Sequence, residues 1–164
     1  MNKQRRELLT ALTAAAGSAL LPGSFAAAGQ TPIVNHSAKE TVTGIGGVFF
    51  RARDPKALEQ WYQDHLGISL TPQSVNDPVW TQQAGQTFFS AFPEKTSYFG
   101  DATKQWMINF RVGNLDKMAA QLEAAGITVK VGPTMYPNGR FARIHDPEGN
   151  PIELWQPMNT ATAK

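Results

Sequence analysis

The sequence predicts a single α+β domain built from two βαβββ modules, whose eight strands curl into one mixed sheet around a cleft. Two observations lead to this prediction. A strand, helix, strand pattern begins at residue 46 and recurs about sixty residues later. The ends of the two copies also match at an offset of 64 residues, in two pairs: Gly85 with Gly149, and Pro93 with Pro157. Each predicted helix has one apolar face that covers one side of a sheet, so the other sheet faces are left to line a cleft.

The first copy opens with an apolar, strand-like run over residues 46–53, which ends at Asp54 and Pro55. Aspartate is a favoured N-cap and proline a favoured first helical residue, so the pattern predicts a helix from there to Leu66. Its apolar residues recur with helical spacing, and Gly67 supplies a left-handed stop. The following run, ISLTPQSV, returns to a strand pattern and completes the order strand, helix, strand.

The second copy repeats this order over the run MINFRVGNLDKMAAQLEAAGITVKV. Asn114 is the predicted N-cap and Gly126 the predicted stop, and the apolar side chains between them follow helical spacing. The turn DPEGN, residues 146–150, then joins two final strands. The last of these strands contains Glu153, a carboxylate that lies between two apolar neighbours.

Residues 1–28 have the features of an export signal. A basic head with the pair Arg5 and Arg6 precedes an apolar run of about 14 residues and a small-residue end. The arginine pair resembles the twin-arginine signals of bacteria, which carry folded proteins across the inner membrane. The run is shorter than the roughly 20 residues of a spanning helix, and the alternatives are a general secretory signal or a retained anchor. The sequence therefore predicts a periplasmic or secreted protein, cleaved before Gly29 and without membrane contact afterwards.

The remaining boundaries follow from composition. Residues 29–43 are predicted to be a polar linker, residues 44–158 the domain and residues 159–164 a tail. A content of 41% apolar and 17% charged residues is typical of a globular protein with a core. Because the excess of basic residues lies in the signal, the mature protein is formally neutral and shows no basic patch for a nucleic-acid partner. The absence of cysteine excludes disulfides, thiolate metal sites and a cysteine nucleophile.

The arrangement resembles the vicinal oxygen chelate superfamily, the fold of glyoxalase I, bleomycin-resistance proteins and extradiol dioxygenases. The resemblance rests on two segments, GGVFFRARDPKALEQWYQDHLGI and DPEGNPIELWQP, and it spans the whole mature domain. It implies the eight-stranded fold but leaves the activity open, because the superfamily contains isomerases, lyases, dioxygenases and binding proteins. Dimers are common in similar families, so a homodimer is expected, with the modules paired within one chain or exchanged between two.

The resemblance also points to the positions of a metal site. Metal-dependent members hold the ion with His, Gln or Glu at four symmetric positions, where this chain has Gly47, Phe89, Met107 and Glu153. Only Glu153 can hold a hard divalent ion, whereas catalytic metal sites generally need three protein ligands. The resemblance therefore implies a site without a metal or other cofactor, and a divalent metal is the alternative.

Strand alternation predicts which further side chains share the cleft. Besides the four positions above, they are Phe49, Arg51, Asn109, Arg111 and Trp155. Arg51 and Arg111 occupy symmetric places and can bind a carboxylate or another anion, unless they reach solvent or pair with acidic residues. Phe89 and Trp155 are predicted cleft walls. Arg143 is less securely placed, because a bulge near Gly139 can shift the parity of its strand.

Three functions fit these residues. The first is an exported, metal-free binding protein that holds a small aromatic or anionic molecule in the cleft. The second is an enzyme, either a lyase or isomerase that uses Glu153 as a base, or a glyoxalase-like or dioxygenase-like enzyme that uses Glu153 as a metal ligand. The third is an accessory interaction domain, which a cleft filled by Phe89 and Met107 would favour.

Overall fold

The computed structural model describes residues 40–158. From Gly46 onward these residues form one compact unit; residues 40–45, which belong to a separate unit, contain no helix or strand. The predicted signal (1–28), most of the predicted linker and the predicted tail (159–164) lie outside the described residues. In residues 40–158, no helix combines the length and apolar character needed to cross a membrane.

Two helices and four strands occur in the described part of the chain. In chain order they are α1 (Pro55–Leu66), β1 (Ile108–Arg111), α2 (Leu115–Ala124), β2 (Lys130–Val131), β3 (Gly139–His145) and β4 (Pro151–Pro157). The strands form one mixed sheet in the order β1-β4-β3-β2, in which β1 is parallel to β4 and the other neighbours are antiparallel. The second predicted module is therefore present with its βαβββ order, and the fold is α+β.

The first predicted module contributes helix α1 and no strand among the described residues. Its predicted strand segments, including residues 46–53 and 68–75, have no strand pairing. Phe49 is 95% exposed and Phe89 is 96% exposed. Apolar alternation signals that a segment suits a sheet, but the segment becomes a strand only when a neighbouring backbone supplies the ladder. The sheet of the described residues has four strands, and the eight-stranded arrangement stays a prediction.

Both helices begin at the N-caps that the sequence predicts. The Asp54 side chain accepts a hydrogen bond from the Ala57 amide at 3.1 Å, and the Asn114 side chain accepts one from the Lys117 amide at 2.9 Å. These contacts satisfy amide groups that the first turn of a helix leaves without an intrahelical partner. Helix α1 ends at Gly67, whose φ of 68° is left-handed and therefore suits a residue without Cβ.

Helices α1 and α2 pack on the same face of the sheet. The buried cluster between them consists of Leu58, Tyr62, Leu115, Leu122, Ala142, Ile144, Ile152 and Leu154. The strand members alternate in sequence, and Ile144 faces Ile152 while Ala142 faces Leu154 in the β3–β4 register. Since one face of the sheet is covered by helices, the residues of opposite parity lie on the other face.

The turn after β3 holds helix α1 against the sheet through Asp146, which is 4% exposed. One carboxylate oxygen, Oδ1, accepts hydrogen bonds from the amides of Glu148 and Asn150, both at 2.9 Å. The other, Oδ2, accepts the hydroxyl of Tyr62 on α1 at 3.0 Å. Burial, and then the negative charge of Asp146, raise the pKa of Tyr62 far above its usual range. The DPEGN turn thus connects the two halves of the sequence.

Glu148 in the same turn makes a second connection to the start of α1. Its carboxylate accepts the Arg53 amide at 2.9 and 3.0 Å and the Asp54 amide at 3.1 Å. These backbone hydrogen bonds lower the pKa of Glu148, because they stabilise its ionised form. A carboxylate of the second module therefore binds the backbone that leads into the helix of the first.

Candidate functional site

The sheet face opposite the helices carries a group of polar and aromatic side chains. Two rows cross it, each with one residue from β1, one from β4 and one from β3. The first row is Asn109, Glu153 and Arg143, and the second row is Arg111, Trp155 and Phe141. We refer to these six residues as the Glu153 face. Strand register alone brings them together, because directly paired residues point to the same side of a sheet.

Glu153 is 4% exposed and has protein partners on both carboxylate oxygens. The Tyr98 hydroxyl donates to Oε1 at 2.8 Å, and the Asn109 side-chain amide donates to Oε2 at 2.8 Å. The Arg143 Nε lies 3.7 Å from Oε1. A buried carboxylate is tolerated when it is paired with a cation and hydrogen-bonded, and these three groups meet that requirement.

Tyr98 lies over this row from a segment that has neither helix nor strand. The Arg143 guanidinium carbon is 4.2 Å from the centroid of the Tyr98 ring, and Arg143 also donates to the Tyr98 carbonyl. The ring of Phe92 stacks on that of Tyr98, with centroids 5.0 Å apart and planes 14° apart. A carboxylate, a cation and an aromatic ring therefore surround one phenol group.

The second row is aromatic at its centre. The rings of Phe141 and Trp155 are nearly parallel, 6° apart, with centroids separated by 6.2 Å, and Phe88 lies 5.3 Å from Trp155. The Trp155 indole donates to the Asn138 carbonyl at 2.7 Å. Gly139 allows this close approach, because a Cβ at its φ of 128° would lie 2.8 Å from the indole nitrogen. The short turn before β3 thus fixes the orientation of the indole.

Arg111 ends the aromatic row with a guanidinium group. It donates to the Gln83 carbonyl at 2.6 Å, and a Cβ at Gly85 would overlap its guanidinium nitrogen. Contacts from Gln83, Gly85, Phe88 and Tyr98 show that irregular chain between residues 83 and 98 covers parts of the Glu153 face. This face is therefore covered by segments that no strand ladder holds in place.

A pocket of about 430 Å³ opens at the β2 edge of the sheet. Its lining includes Trp61, Lys130, Arg143 and His145. Lys130 faces Arg143 in the β2–β3 register, and Arg143 is the residue of the Glu153 row that lines this pocket. Lys130 and Arg143 are basic, and the carboxylate Asp146 also lines the pocket.

The predicted site residues divide into two groups. Asn109, Arg111, Glu153 and Trp155 lie together on the Glu153 face, and Met107 is partly buried directly before β1. The first-module residues do not join them in a paired sheet: Gly47, Phe49, Arg51 and Phe89 are exposed and belong to no strand. Phe89 therefore does not fill the space over Glu153.

Three contributors to this face are absent from the predicted set. The sequence pattern leaves the face of Arg143 open, because a bulge near Gly139 can shift the parity, but β3 is regular from Gly139 to His145 and pairs Arg143 directly with Glu153. Phe141 lies two residues before Arg143 on β3, so its side chain is on the same face of the sheet. Tyr98 reaches Glu153 from a segment without periodicity, so sequence pattern carries no signal for it.

The residues around Glu153 do not form a metal site. Among residues 40–158, no group of three or more His, Cys, Asp or Glu side chains is arranged to hold an ion. The three side chains that contact Glu153 are a phenol, an amide and a guanidinium. The Arg143 cation beside Oε1 would also repel a divalent cation bound to the same oxygen. This donor set does not match the ligands that catalytic zinc, iron, manganese or nickel sites use.

Comparison with known proteins gives one family and several similar structures. The family model described as glyoxalase-like domain matches residues 47–155. TnmS3, an antibiotic binding protein from Streptomyces sp. CB03234, is 26% identical over 64% of this chain and 88% of its own, with a TM-score of 0.41. A glyoxylase/bleomycin resistance protein/dioxygenase domain from Frankia sp. EAN1pec is 18% identical over 72% of this chain and 100% of its own, with a TM-score of 0.45. A search of curated proteins gave no match.

Proposed function

The chain belongs to the glyoxalase-like domain family of the vicinal oxygen chelate superfamily, and we propose that it is a metal-free binding protein for a small aromatic or anionic molecule. The ligand binds on the Glu153 face. The observation that carries this proposal is the aromatic pair Phe141 and Trp155 beside the guanidinium of Arg111, in the row next to a buried carboxylate. Flat apolar walls with a few fixed polar groups are typical of small-molecule sites.

The partners of Glu153 favour binding over catalysis by this carboxylate. Both of its oxygens already accept hydrogen bonds from protein side chains. A substrate proton would have to displace Tyr98 or Asn109 before it reached the carboxylate, whereas a general base needs hydrogen-bond reach to the proton that it removes. The lyase or isomerase alternative therefore requires a rearrangement that binding does not.

Replacement of Arg111 tests where the ligand lies. We expect Arg111→Gln to weaken the binding of aromatic carboxylates such as benzoate about tenfold, because one charge-assisted contact is lost. The matched control is Arg140→Gln, since Arg140 pairs with Asp116 of α2 at 2.7 Å. Titration of tryptophan fluorescence measures both variants. Equal weakening by the two substitutions would contradict a site on the Glu153 face.

Removal of metal ions tests the metal-free part of the proposal. We expect protein treated with EDTA to keep its affinity for aromatic ligands, and protein dialysed against zinc, manganese, iron or nickel to retain less than one ion per chain. A tightly held stoichiometric ion, or binding that depends on one, would overturn this part. The control is the same assay on Glu153→Gln, in which the one matching ligand position is lost.

The protein is exported, with residues 1–28 as a twin-arginine signal, and it acts in the periplasm or outside the cell. The support is the pair Arg5 and Arg6 ahead of a short apolar run. Mass spectrometry of the protein from fractionated cells gives the decisive result, since a mature form that begins at Gly29 is expected. A full-length form in the cytoplasmic fraction would exclude this location.

In the functional protein the first module also forms strands, which complete the eight-stranded sheet. The functional assembly is a homodimer. The support is the exposed apolar character of the first-module segments, including Phe49 and Phe89. Water-exposed apolar surface of this extent marks an interaction site in soluble proteins. Sedimentation and hydrogen exchange distinguish strands that pair within one chain from strands that pair with a second copy.

A further inference from the structure

We propose that the Tyr98 side chain occupies the position of the ligand, and that the ligand is a hydroxylated aromatic compound whose ring and hydroxyl group replace those of Tyr98. This inference rests on the proposed binding function and narrows it from aromatic or anionic molecules to phenols. It also gives Tyr98 a role, because the residue becomes an internal competitor that binding displaces.

The surroundings of Tyr98 have the chemistry of a phenol site. Its hydroxyl donates to Glu153 Oε1 at 2.8 Å, the Arg143 cation lies 4.2 Å from its ring centroid, and Phe92 stacks on it. A carboxylate is a strong acceptor for a phenolic hydroxyl, and a guanidinium favours the electron-rich face of an aromatic ring. The same three contacts are available to any ring with a hydroxyl group in this place.

The charged side chains that contact Tyr98 belong to strands, whereas Tyr98 itself is not part of regular structure. Asn109, Glu153 and Arg143 are paired in adjacent strands, so their spacing is set by the sheet. Tyr98 lies in a segment without helix or strand, and its backbone amide donates to the Thr96 hydroxyl at 3.2 Å. Departure of Tyr98 therefore breaks side-chain contacts and local turns, and it leaves the strand ladder intact.

Charge selects phenols over simple acids at this position. A ligand carboxylate placed against Glu153 would meet a like charge, whereas a phenolic hydroxyl donates a hydrogen bond to it. Arg111 lies two residues along β1 from Asn109 on the same face, roughly 7 Å away by strand geometry. A ring that carries a hydroxyl group at one end and an acid group at the other can reach both Glu153 and Arg111.

Calorimetric titration of the full protein with 4-hydroxybenzoate and with benzoate tests this inference. Benzoate lacks only the hydroxyl group. We expect the native protein to prefer 4-hydroxybenzoate, and Tyr98→Phe to bind it about three- to tenfold more tightly, because the competing internal hydroxyl is gone. Benzoate has no hydroxyl group to compete with that of Tyr98 for Glu153, so it binds through Arg111 with Tyr98 in place, and its affinity should change little. Glu153→Gln in the Tyr98→Phe background should remove the preference for the hydroxyl group.

Two changes in the affinities of Tyr98→Phe would overturn the inference. One is weaker binding of 4-hydroxybenzoate by Tyr98→Phe, which would make Tyr98 a ligand contact. The other is an equal gain for both probes, which would indicate general loosening of the segment. If neither probe binds any form while other aromatic acids still bind in an Arg111-dependent way, this inference fails and the proposed function stands.

A measurement on the native chain avoids dependence on the folding of the variant. With ¹³C-labelled tyrosine, 4-hydroxybenzoate should move the Tyr98 ring signals towards those of an exposed tyrosine, because the ring leaves Glu153 and Arg143. The Tyr62 ring is the internal control, since it donates to buried Asp146 on the other side of the sheet. Unchanged Tyr98 signals at saturating ligand would contradict displacement.

Discussion

At the scale of single residues, the buried polar groups of this domain are all held by specific partners. Glu153 has Tyr98, Asn109 and Arg143, and Asp146 has Tyr62 with the amides of its own turn. Among the described residues, no buried side-chain nitrogen or oxygen is without a hydrogen bond. Loss of one partner would leave another buried group unsatisfied, which costs more than the hydrogen bond itself contributes.

Tyr62→Phe is expected to destabilise the domain by about 1–2 kcal/mol at neutral pH, because Asp146 loses a buried donor.

The raised pKa of Tyr62 also predicts that the stability of the domain falls at alkaline pH. Unfolded tyrosine ionises above about pH 10 whereas folded Tyr62 keeps its proton, so stability is full below that pH and falls above it, by up to about 1.4 kcal/mol per pH unit. Urea unfolding at pH 7 to 11 measures this. A Tyr62→Phe protein with the same alkaline slope as the native one would refute the assignment.

Some of these residues were predictable from the sequence, and others were not. Strand parity predicted that Asn109 and Arg111 share a face, and the β1–β4 register places them beside Glu153 and Trp155. Alternate residues of a strand point to the same face of a sheet whichever strands it pairs with, so this prediction does not depend on the rest of the fold. Tyr98 was not predictable, because its position depends on the path of an irregular segment that has no periodic pattern.

At the scale of elements, helices and strands are found where the local sequence pattern favours them and where a neighbouring element packs against them or pairs with them. N-caps at Asp54 and Asn114 predicted both helix starts, and both helices have an apolar face on the sheet. The strands predicted in residues 46–53 had equally good local patterns but no paired neighbour. Strand stability depends on cross-strand partners, so sequence pattern predicts helices more securely than it predicts which strands pair.

Glu148→Gln is expected to weaken the attachment of α1, because a neutral amide is a poorer acceptor for the Arg53 and Asp54 amides. Hydrogen exchange at residues 55–66 should become several-fold faster, while exchange in β3 and β4 should not change. Glu123→Gln, an exposed substitution on α2, is the control.

The lowered pKa of Glu148 adds a pH test of the same contact. The contribution of Glu148 is full above its unfolded pKa of about 4.3, and it is lost as the pH falls through the lower folded value. Native and Glu148→Gln proteins should therefore exchange at different rates at pH 6, and the difference should shrink below about pH 4. A difference that stays constant down to pH 2 would show that the charge of Glu148 does not hold α1.

At the scale of the whole molecule, the distribution of apolar surface is uneven. The second module buries its leucine and isoleucine side chains between helices and sheet, whereas large side chains of the first module, including Phe49, Val75 and Phe89, are almost fully exposed. Burial of one such side chain stabilises a protein by about 1.5–3 kcal/mol. The first module therefore has the driving force for pairing that the homodimer proposal requires.

Replacement of Phe49 and Phe89 by aspartate tests this at the level of assembly. We expect the native protein to sediment as a dimer and the double variant as a monomer, because charged side chains cannot be buried in a sheet contact without partners. Met135→Asp is the matched control, since Met135 is a 60% exposed apolar residue of the second module. Native protein that sediments as a monomer at all concentrations would exclude the dimer. Protection of residues 46–53 from hydrogen exchange in that monomer would instead assign the strand pairing to a single chain.

The contacts of Asp146 and Glu148 with helix α1 also determine when α1 can be fixed in place during synthesis and folding. They join residues that are 84 to 95 positions apart in the chain. During synthesis α1 leaves the ribosome long before the turn that holds it has been made, and contacts of such large sequence separation form late and slowly. Helix α1 therefore lacks these contacts until the turn between β3 and β4 has been translated. A polypeptide truncated before residue 146 would carry a complete first helix without the contacts of Asp146 and Glu148 and without β4, which would leave the helix more exposed to proteases and chaperones.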